Sequence, residues 1–562
     1  MTTAEHDSRQ SRSSTAQIAA AALGAFAVAA TTGALGLVAG VALDASWIPA
    51  VFAAAGAIVG AVIGRLLLVW RRRIPARLLT AGVAMTATAT VVVVGIGAWF
   101  YTGARVTNVG RVEFTQPLAI PPVLEPTTDE DGRKVFELRF EAATTELLPG
   151  TETPTWGLNG SYLAPTIRAA RGDDVVMNVT NGVDELTTLH WHGMHLPGEM
   201  DGGPHQMIEP AETWEPTWRI EQPAATLWFH PHLHHQTAEH VYRGAAGMFI
   251  VDDEEAGTLD LPDTYGVDDI PVIVQDKQFH DDGTLDTSNR PMSSVGILGD
   301  EILVNGTYGP VFEARTTLVR LRLLNASNAR VYDLGFTDDR GFSVIATDAG
   351  LLPQPISTNR VQLSPGERAE VVVRVEPGDR AMVRSFGADL GGDFFSERVN
   401  GGDDTFDILR IDAAEELETS PSIPEELVTL DAPDADDAVA TRSFRLSGNS
   451  RINGQRMDLG RVDETVTLGT TEIWEVEAGG GPHSFHPHGT SFLILDIDGD
   501  RPPPLLRGWK DTVLLRSGRT YRLVARFDHA ADATAPFMFH CHILEHEDNG
   551  MMGQFTVDDA AR

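Results

Sequence analysis

Four His-x-His pairs punctuate the chain: His190/His192, His230/His232, His486/His488 and His540/His542. Side chains two apart on an extended strand share a face, so each pair is pre-arranged to bind one metal ion or two adjacent ones. The single cysteine, Cys541, sits between His540 and His542 and therefore points the other way, towards a different metal from its neighbours. His483, His546 and Met551 complete that second site. Two imidazoles, a thiolate and a weak thioether are the donors of a blue-copper electron-transfer centre, where soft sulfur favours Cu(I) and imidazole accepts Cu(II). The histidine distribution agrees. Of 18 histidines only His6 precedes His190, and only His280 lies between His240 and His483. One cysteine also excludes any intramolecular disulfide.

The residues that must position these pairs repeat. His190-Trp-His-Gly193 is echoed by His486-Pro-His-Gly489, and Phe229-His-Pro-His232 by Phe539-His-Cys-His542. Gly247-Met-Phe-Ile-Val-Asp-Asp253 is echoed by Gly553-Gln-Phe-Thr-Val-Asp-Asp559, and the order is the same in both sets. Two homologous units carrying matched pairs, with a spacer between them, account for this. From residue 106 onward the chain consists of short Val/Ile/Leu/Thr runs broken by Gly, Pro, Asn and Asp, such as Asp269–Gln275 and Thr317–Leu324. No long amphipathic helical pattern competes, so the expected fold is all-β, with about three β-sandwiches. Joints at the acidic stretch 252–257 and at 413–426 place the domains at 106–255, 256–420 and 421–562, the middle one without metal ligands.

Composition narrows the partners. With 43 Lys+Arg against 79 Asp+Glu the formal charge is -36, and only three of the basic residues are lysines, which excludes a phosphate-tracking groove and nucleic acid. Residues 1–105 hold three apolar stretches, 18–43, 48–70 and 79–101, each longer than the roughly 20 residues that span a bilayer. Their one charge, Arg65, lies near Arg71-Arg72-Arg73, which with Arg77 marks the second loop as cytoplasmic. The expectation is a multi-pass cell-membrane protein, anchored by three transmembrane helices, with everything after Tyr101 extracytoplasmic. A cleaved export signal in the third stretch is the alternative, and it leaves the remainder outside as well.

The motifs His190-Trp-His192, His230-Pro-His232, His483-Ser-Phe-His486-Pro-His488 and His540-Cys-His542-Ile-Leu-Glu-His546-Glu-Asp-Asn-Gly-Met551 resemble the four copper-binding motifs of the multicopper oxidases. The flanking segments 197–204, 222–229, 268–277 and 508–513 are similar to the three-domain bacterial branch that includes laccase-like enzymes and a periplasmic cuprous oxidase. This resemblance implies three cupredoxin-like Greek-key sandwiches and four copper ions. It implies that His483, Cys541, His546 and Met551 hold the type 1 copper, and His190 and His486 the type 2 copper. His192, His230, His232, His488, His540 and His542 would hold the binuclear type 3 pair. It further implies one-electron oxidation of a donor at the type 1 site, passage through Cys541, and four-electron reduction of O2 to water. Asp201 and Glu547 match acidic positions that relay protons in similar enzymes. His195, His205, His234, His235 and His240 lie near the motifs as structural or tuning residues, and His529 lies outside them.

One departure bears on the donor. The cuprous oxidases carry a Met-rich insertion over the type 1 site, whereas residues 425–460 here contain one methionine, Met457, and the acidic run Asp431-Ala-Pro-Asp-Ala-Asp-Asp437. The donor is therefore expected to be a phenol or aromatic amine, or a metal ion such as Cu(I). A dedicated metallo-oxidase for Cu(I), Mn(II) or Fe(II) is the alternative. Copper nitrite reductase shares the type 1 ligands but does not build the pair that His540 and His542 supply. A copper-free structural member, as in a cell-division protein of the superfamily, is disfavoured by the complete ligand set.

Overall fold

The computed structural model describes Gly95 and residues 101–559. They fall into two compact units, one containing Gly95 and residues 101–105, 291–294 and 394–399 and the other the remaining described residues. In the smaller unit the short helix Phe394–Val399 places the Phe394 and Phe395 rings 5.6 and 6.0 Å from that of Tyr101. The expected transmembrane helices require correction. Segments 18–43, 48–70 and 79–101 lie outside the described residues apart from Gly95 and Tyr101, and no helix among the described residues is long and apolar enough to cross a membrane. The helix Thr237–Arg243, for instance, has seven residues; it rises about 10 Å against the roughly 30 Å of a hydrocarbon core. Among the described residues the sheets are all-β and no membrane-spanning helix is present, and the membrane anchoring and multi-pass placement built on such helices lose their support.

The larger unit contains six sheets arranged as three face-to-face pairs, each enclosing its own apolar core. In the first sandwich the strand Lys134–Leu148 alternates, turning Phe136, Leu138 and Phe140 inward and charged residues outward, the pattern of a sheet with one wet face. These residues meet Trp191, Leu227, Phe229 and Phe249 from the four-stranded sheet that carries the histidines. In the middle sandwich Leu318–Asn325 is buried along its whole length. Val319, Leu321 and Leu323 face the core, while Arg320 and Arg322 turn to the opposite side. There Arg322 clasps Asp269 at 2.6 and 2.9 Å and reaches Glu370 at 2.9 Å; Arg320 also bonds Glu370, which accepts from Thr226 of the first sandwich at 2.7 Å. Buried arginines are tolerable here because each charge is paired and hydrogen-bonded. The chain just after residue 105 also joins the middle sandwich, since Gln116–Pro117 pairs in parallel with Pro310–Val311.

The repeated motifs occupy corresponding strands. In the first sandwich His190–His192 lies antiparallel to Ala225–His230, which lies antiparallel to Gly247–Asp252. In the third, His483–Pro487 lies antiparallel to Phe537–Cys541, itself antiparallel to Met552–Asp558. The registers set His190 opposite His230 and His486 opposite His540. Each sandwich thereby presents two histidine-bearing strand ends side by side.

Candidate metal centre

Cys541 ends its strand fully buried, with Sγ 3.6 Å from His483 Nδ1 and 3.6 Å from His546 Nδ1. His546 comes from the short helix Leu544–Asp548, and Met551 from the turn that follows it. Backbone hydrogen bonds tie the loop together: the Met551 amide donates to the His546 carbonyl at 2.9 Å, and the Cys541 amide to the Met551 carbonyl at 3.1 Å. Burial pushes the Cys541 thiol up to about 12 and holds His483 well below 6.5, with the neighbouring His546 adding to the effect. A soft thiol and two imidazoles in one dry pocket fit a copper ion, which displaces the thiol proton on binding.

On the other face of the same strand eight histidines from the first and third sandwiches converge. One ring nitrogen each from His190, His192 and His486 lies within 4.8 Å of the others; the same holds for His192, His230 and His542, and for His232, His488 and His540. Nε2 of His540 is 3.2 Å from Nε2 of both His232 and His488, and Nε2 of His542 is 3.2 Å from Nδ1 of His192. Burial foremost, then the neighbouring rings, holds His192, His230, His486, His488 and His542 well below 6.5. Burial lowers His232 to about 3. Those six rings are neutral at pH 7 with lone pairs to give. Nε2 of His190, His230 and His486 is buried without a hydrogen-bond partner, and each such atom costs about 1–3 kcal/mol. A dry cluster of unpartnered imidazole nitrogens is what metal ions would satisfy, and the donor set fits copper.

The second nitrogen of nearly every ring is engaged. His190 Nδ1 donates to the Asp201 carbonyl at 2.9 Å, His488 Nδ1 to Asp201 Oδ2 at 2.7 Å, and His486 Nδ1 to the Asp511 carbonyl at 2.7 Å. Outer partners of this kind fix tautomer and ring orientation. Gly202, with φ 77°, makes room behind Asp201, since a Cβ there would stand 1.8 Å from the Leu189 carbonyl oxygen. Glu547 Oε2 lies 3.2 Å from His540 Nδ1 and Oε1 3.5 Å from His232 Nδ1. Burial alone would raise this carboxyl; His232 and His540 overcome that and hold it well below the carboxylate range.

The structure thus brings together all the sequence-predicted histidine and cysteine ligands in two groups, with Asp201 and Glu547 against the larger one; the backbone of Met551, a buried residue, is tied to the smaller one. The remaining histidines stay out of both. His195 bonds Ser491 at 2.8 Å, His205 bonds Gln554 at 2.8 Å, His235 donates to the Asp548 carbonyl at 2.7 Å, and His240 packs on Trp156. His234 stacks on His235, His529 faces His195, and His280 is exposed. Sequence reasoning missed Asp511, Thr512 and Arg368, which back the cluster, and Trp228, whose ring centroid is 4.2 Å from that of His230. The only signals were the segments 222–229 and 508–513, noted as flanks without a role.

Models of the multicopper oxidase family match residues 139–256 and 420–561. Cell division protein FtsP of Salmonella typhimurium is 39% identical over 454 residues, covering 79% of this chain and 93% of that protein. Multicopper oxidase mco of Staphylococcus haemolyticus is 35% identical over 449 residues, covering 78% and 92%. Among solved structures, the laccase of Pediococcus acidilactici aligns with a TM-score of 0.72 at 34% identity, covering 80% of this chain and 96% of that one. The chain belongs to the multicopper oxidase family. It is a copper-dependent oxidoreductase that takes electrons from a reducing substrate and passes them to O2.

Proposed function

We propose that this is a laccase-like enzyme with one type 1, one type 2 and two type 3 coppers, built on domains at 106–255, 256–420 and 421–562. His483, Cys541, His546 and Met551 would hold the type 1 ion, and His190 and His486 the type 2 ion. His192, His230 and His542 would hold one type 3 ion, and His232, His488 and His540 the other. The bound coppers supply one-electron redox steps and a place for O2 to be reduced to water. The single observation that carries this reading is the convergence of eight buried imidazoles beside a separate Cys/His pocket. Cys541 is covalently continuous with His540 and His542, so one strand end joins the donor pocket to the larger cluster. Asp201 holds the outer nitrogen of His488, Glu547 lies 3.2 Å from that of His540, and both are positioned to pass on the protons that water formation consumes. We place the catalytic region outside the cytoplasm, supported by the apolar, arginine-flanked sequence ahead of residue 106.

A metallo-oxidase is the second reading. A cavity of about 640 Å³ is lined by Asp431, Asp434 and Asp437 of the acidic run together with Glu221, His195 and His529. The copper-free reading finds a counterpart in the relative named a cell division protein, but it leaves the convergent donor nitrogens without a purpose. Oxygen uptake by the copper-loaded protein, run in parallel with dimethoxyphenol, Cu(I), Mn(II) and Fe(II) against Cys541→Ser, separates the three. Preference for the phenol, lost in the variant, is the expected result. Preference for one metal ion makes it a metallo-oxidase, and no uptake with any donor despite full copper loading overturns the oxidase reading.

A further inference from the structure

Asp511 touches two histidines of the cluster through two different groups. Its carboxylate Oδ1 lies 3.1 Å from His192 Nε2, and its main-chain carbonyl accepts from His486 Nδ1 at 2.7 Å. The two rings stack on each other, with centroids 3.7 Å apart and planes 6° from parallel. Thr512 Oγ1 donates to Asp511 Oδ1 at 2.8 Å and so presents only a lone pair to His192 Nε2, 3.0 Å away. Both neighbours of His192 Nε2 are thus acceptors, and that nitrogen must carry the proton. The lone pair is left on Nδ1, which faces His542 Nε2 at 3.2 Å. His486, bonded through Nδ1–H to a carbonyl, is left with its lone pair on Nε2. Carbonyl or carboxylate contacts at Nδ1 likewise turn Nε2 of His190, His230, His488 and His540 inward. His192 is the odd one of the set, and Asp511 is the reason.

Asp511 is itself held from the middle sandwich. Arg368 gives it two parallel hydrogen bonds, Nη1 to Oδ1 at 2.7 Å and Nη2 to Oδ2 at 2.6 Å. The other three guanidinium protons go to the carbonyls of Thr226, Gly366 and Asp348 at 2.8, 3.0 and 2.8 Å, so all five donors are used and the fork has one orientation. Gly193, with φ 83°, leaves the space Asp511 occupies, as a Cβ there would stand 2.4 Å from Oδ2. We propose that the Arg368–Asp511 pair is a positioning device that selects Nδ1 of His192, and Nε2 of the stacked His486, as the metal-facing nitrogens. The middle sandwich, which contributes no ligand, thereby dictates ligand chemistry at the junction of the other two. The inference rests on the oxidase reading above.

The test uses Asp511→Asn and Arg368→Lys in the full chain, loaded with copper beside the wild type. The amide of Asp511→Asn has the carboxylate's shape but loses its charge and one acceptor, so one of the two parallel bonds from Arg368 is broken and the acceptor that holds the proton on His192 Nε2 is weakened and no longer fixed. The variant is expected to keep the visible thiolate-to-copper absorption of the Cys541 pocket, to lose copper from the histidine cluster, and to take up oxygen roughly 10- to 100-fold more slowly. Arg368→Lys keeps the charge but not the parallel pair of bonds, so a smaller loss in the same direction is expected; it decides the matter should Asp511→Asn not fold. Full copper content and wild-type uptake in either folded variant would overturn the proposal. So would a structure of the copper-loaded wild type with Nε2 of His192 facing the metal. A wild type that shows neither the visible absorption nor uptake would instead sink the oxidase reading itself.

Discussion

At the scale of single residues the chemistry divides between a soft donor and two carboxylates. Replacing Cys541 by Ser exchanges a polarizable sulfur for a hard hydroxyl that neither stabilises Cu(I) nor carries charge towards His540 and His542. Cys541→Ser is expected to abolish the visible absorption and lower oxygen uptake more than 100-fold, while elemental analysis still finds copper in the histidine cluster. Asp201→Asn and Glu547→Gln preserve shape and remove proton acceptors. Each should slow uptake by roughly 10²- to 10⁴-fold at unchanged copper content, and a variant with wild-type uptake would confine that carboxylate to holding its histidine. The ligands were legible in the sequence because i, i+2 spacing on a strand is a local signal and Cys541 marks the opposite face. Asp511 and Arg368 were not. Asp511 stands 319 residues from His192 and Arg368 143 residues from Asp511, and one carboxylate in a loop has no periodicity to betray its partner.

At the scale of elements the strands set the geometry and the turns protect it. Gly202 follows Asp201 in a left-handed conformation against the Leu189 carbonyl. Gly202→Ala adds backbone strain of about 1–3 kcal/mol and a methyl group that can be housed only by moving the strand His190–His192. The expectation is a lower melting temperature together with lost copper, read by calorimetry and elemental analysis on the same sample; unchanged values would mean that the loop shifts freely. Strand identity was readable wherever one face is wet, as along Lys134–Leu148. Leu318–Asn325 was legible as a strand too, but its environment was not: Arg320 and Arg322 suggest an exposed face yet lie buried against Asp269 and Glu370 from other strands. The two-residue strand Gln116–Pro117 was invisible for a plainer reason: it is too short to show an alternation, and its partner lies in another sandwich.

At the scale of the whole molecule the histidine cluster joins the first and third sandwiches, so its occupancy should govern stability. Without copper, His195 and His240 are lowered to about 4 by burial, whereas in the unfolded chain they titrate near 6.5. Between those values the unfolded chain binds the extra protons, so stability is complete above about pH 6.5 and is lost as pH falls towards 4, by up to about 3 kcal/mol per residue. Copper adds to this in the same direction. Its ligands must be deprotonated, so protons compete with it, and at a free concentration 1,000 times the dissociation constant it stabilises the fold by about 4 kcal/mol. Calorimetry from pH 7.5 to 5 should therefore show the copper-loaded protein melting above the copper-free one, with the gap narrowing steadily across that range, because copper displaces a proton from the Cys541 thiol, which burial pushes up to about 12. Limited proteolysis of the copper-free protein should cut first where the first and third sandwiches meet, around His190–Gly203 and Gly481–Ser491. Identical melting curves and cleavage patterns with and without copper would show that the three sandwiches hold together without the metal, leaving the cluster no part in cohesion.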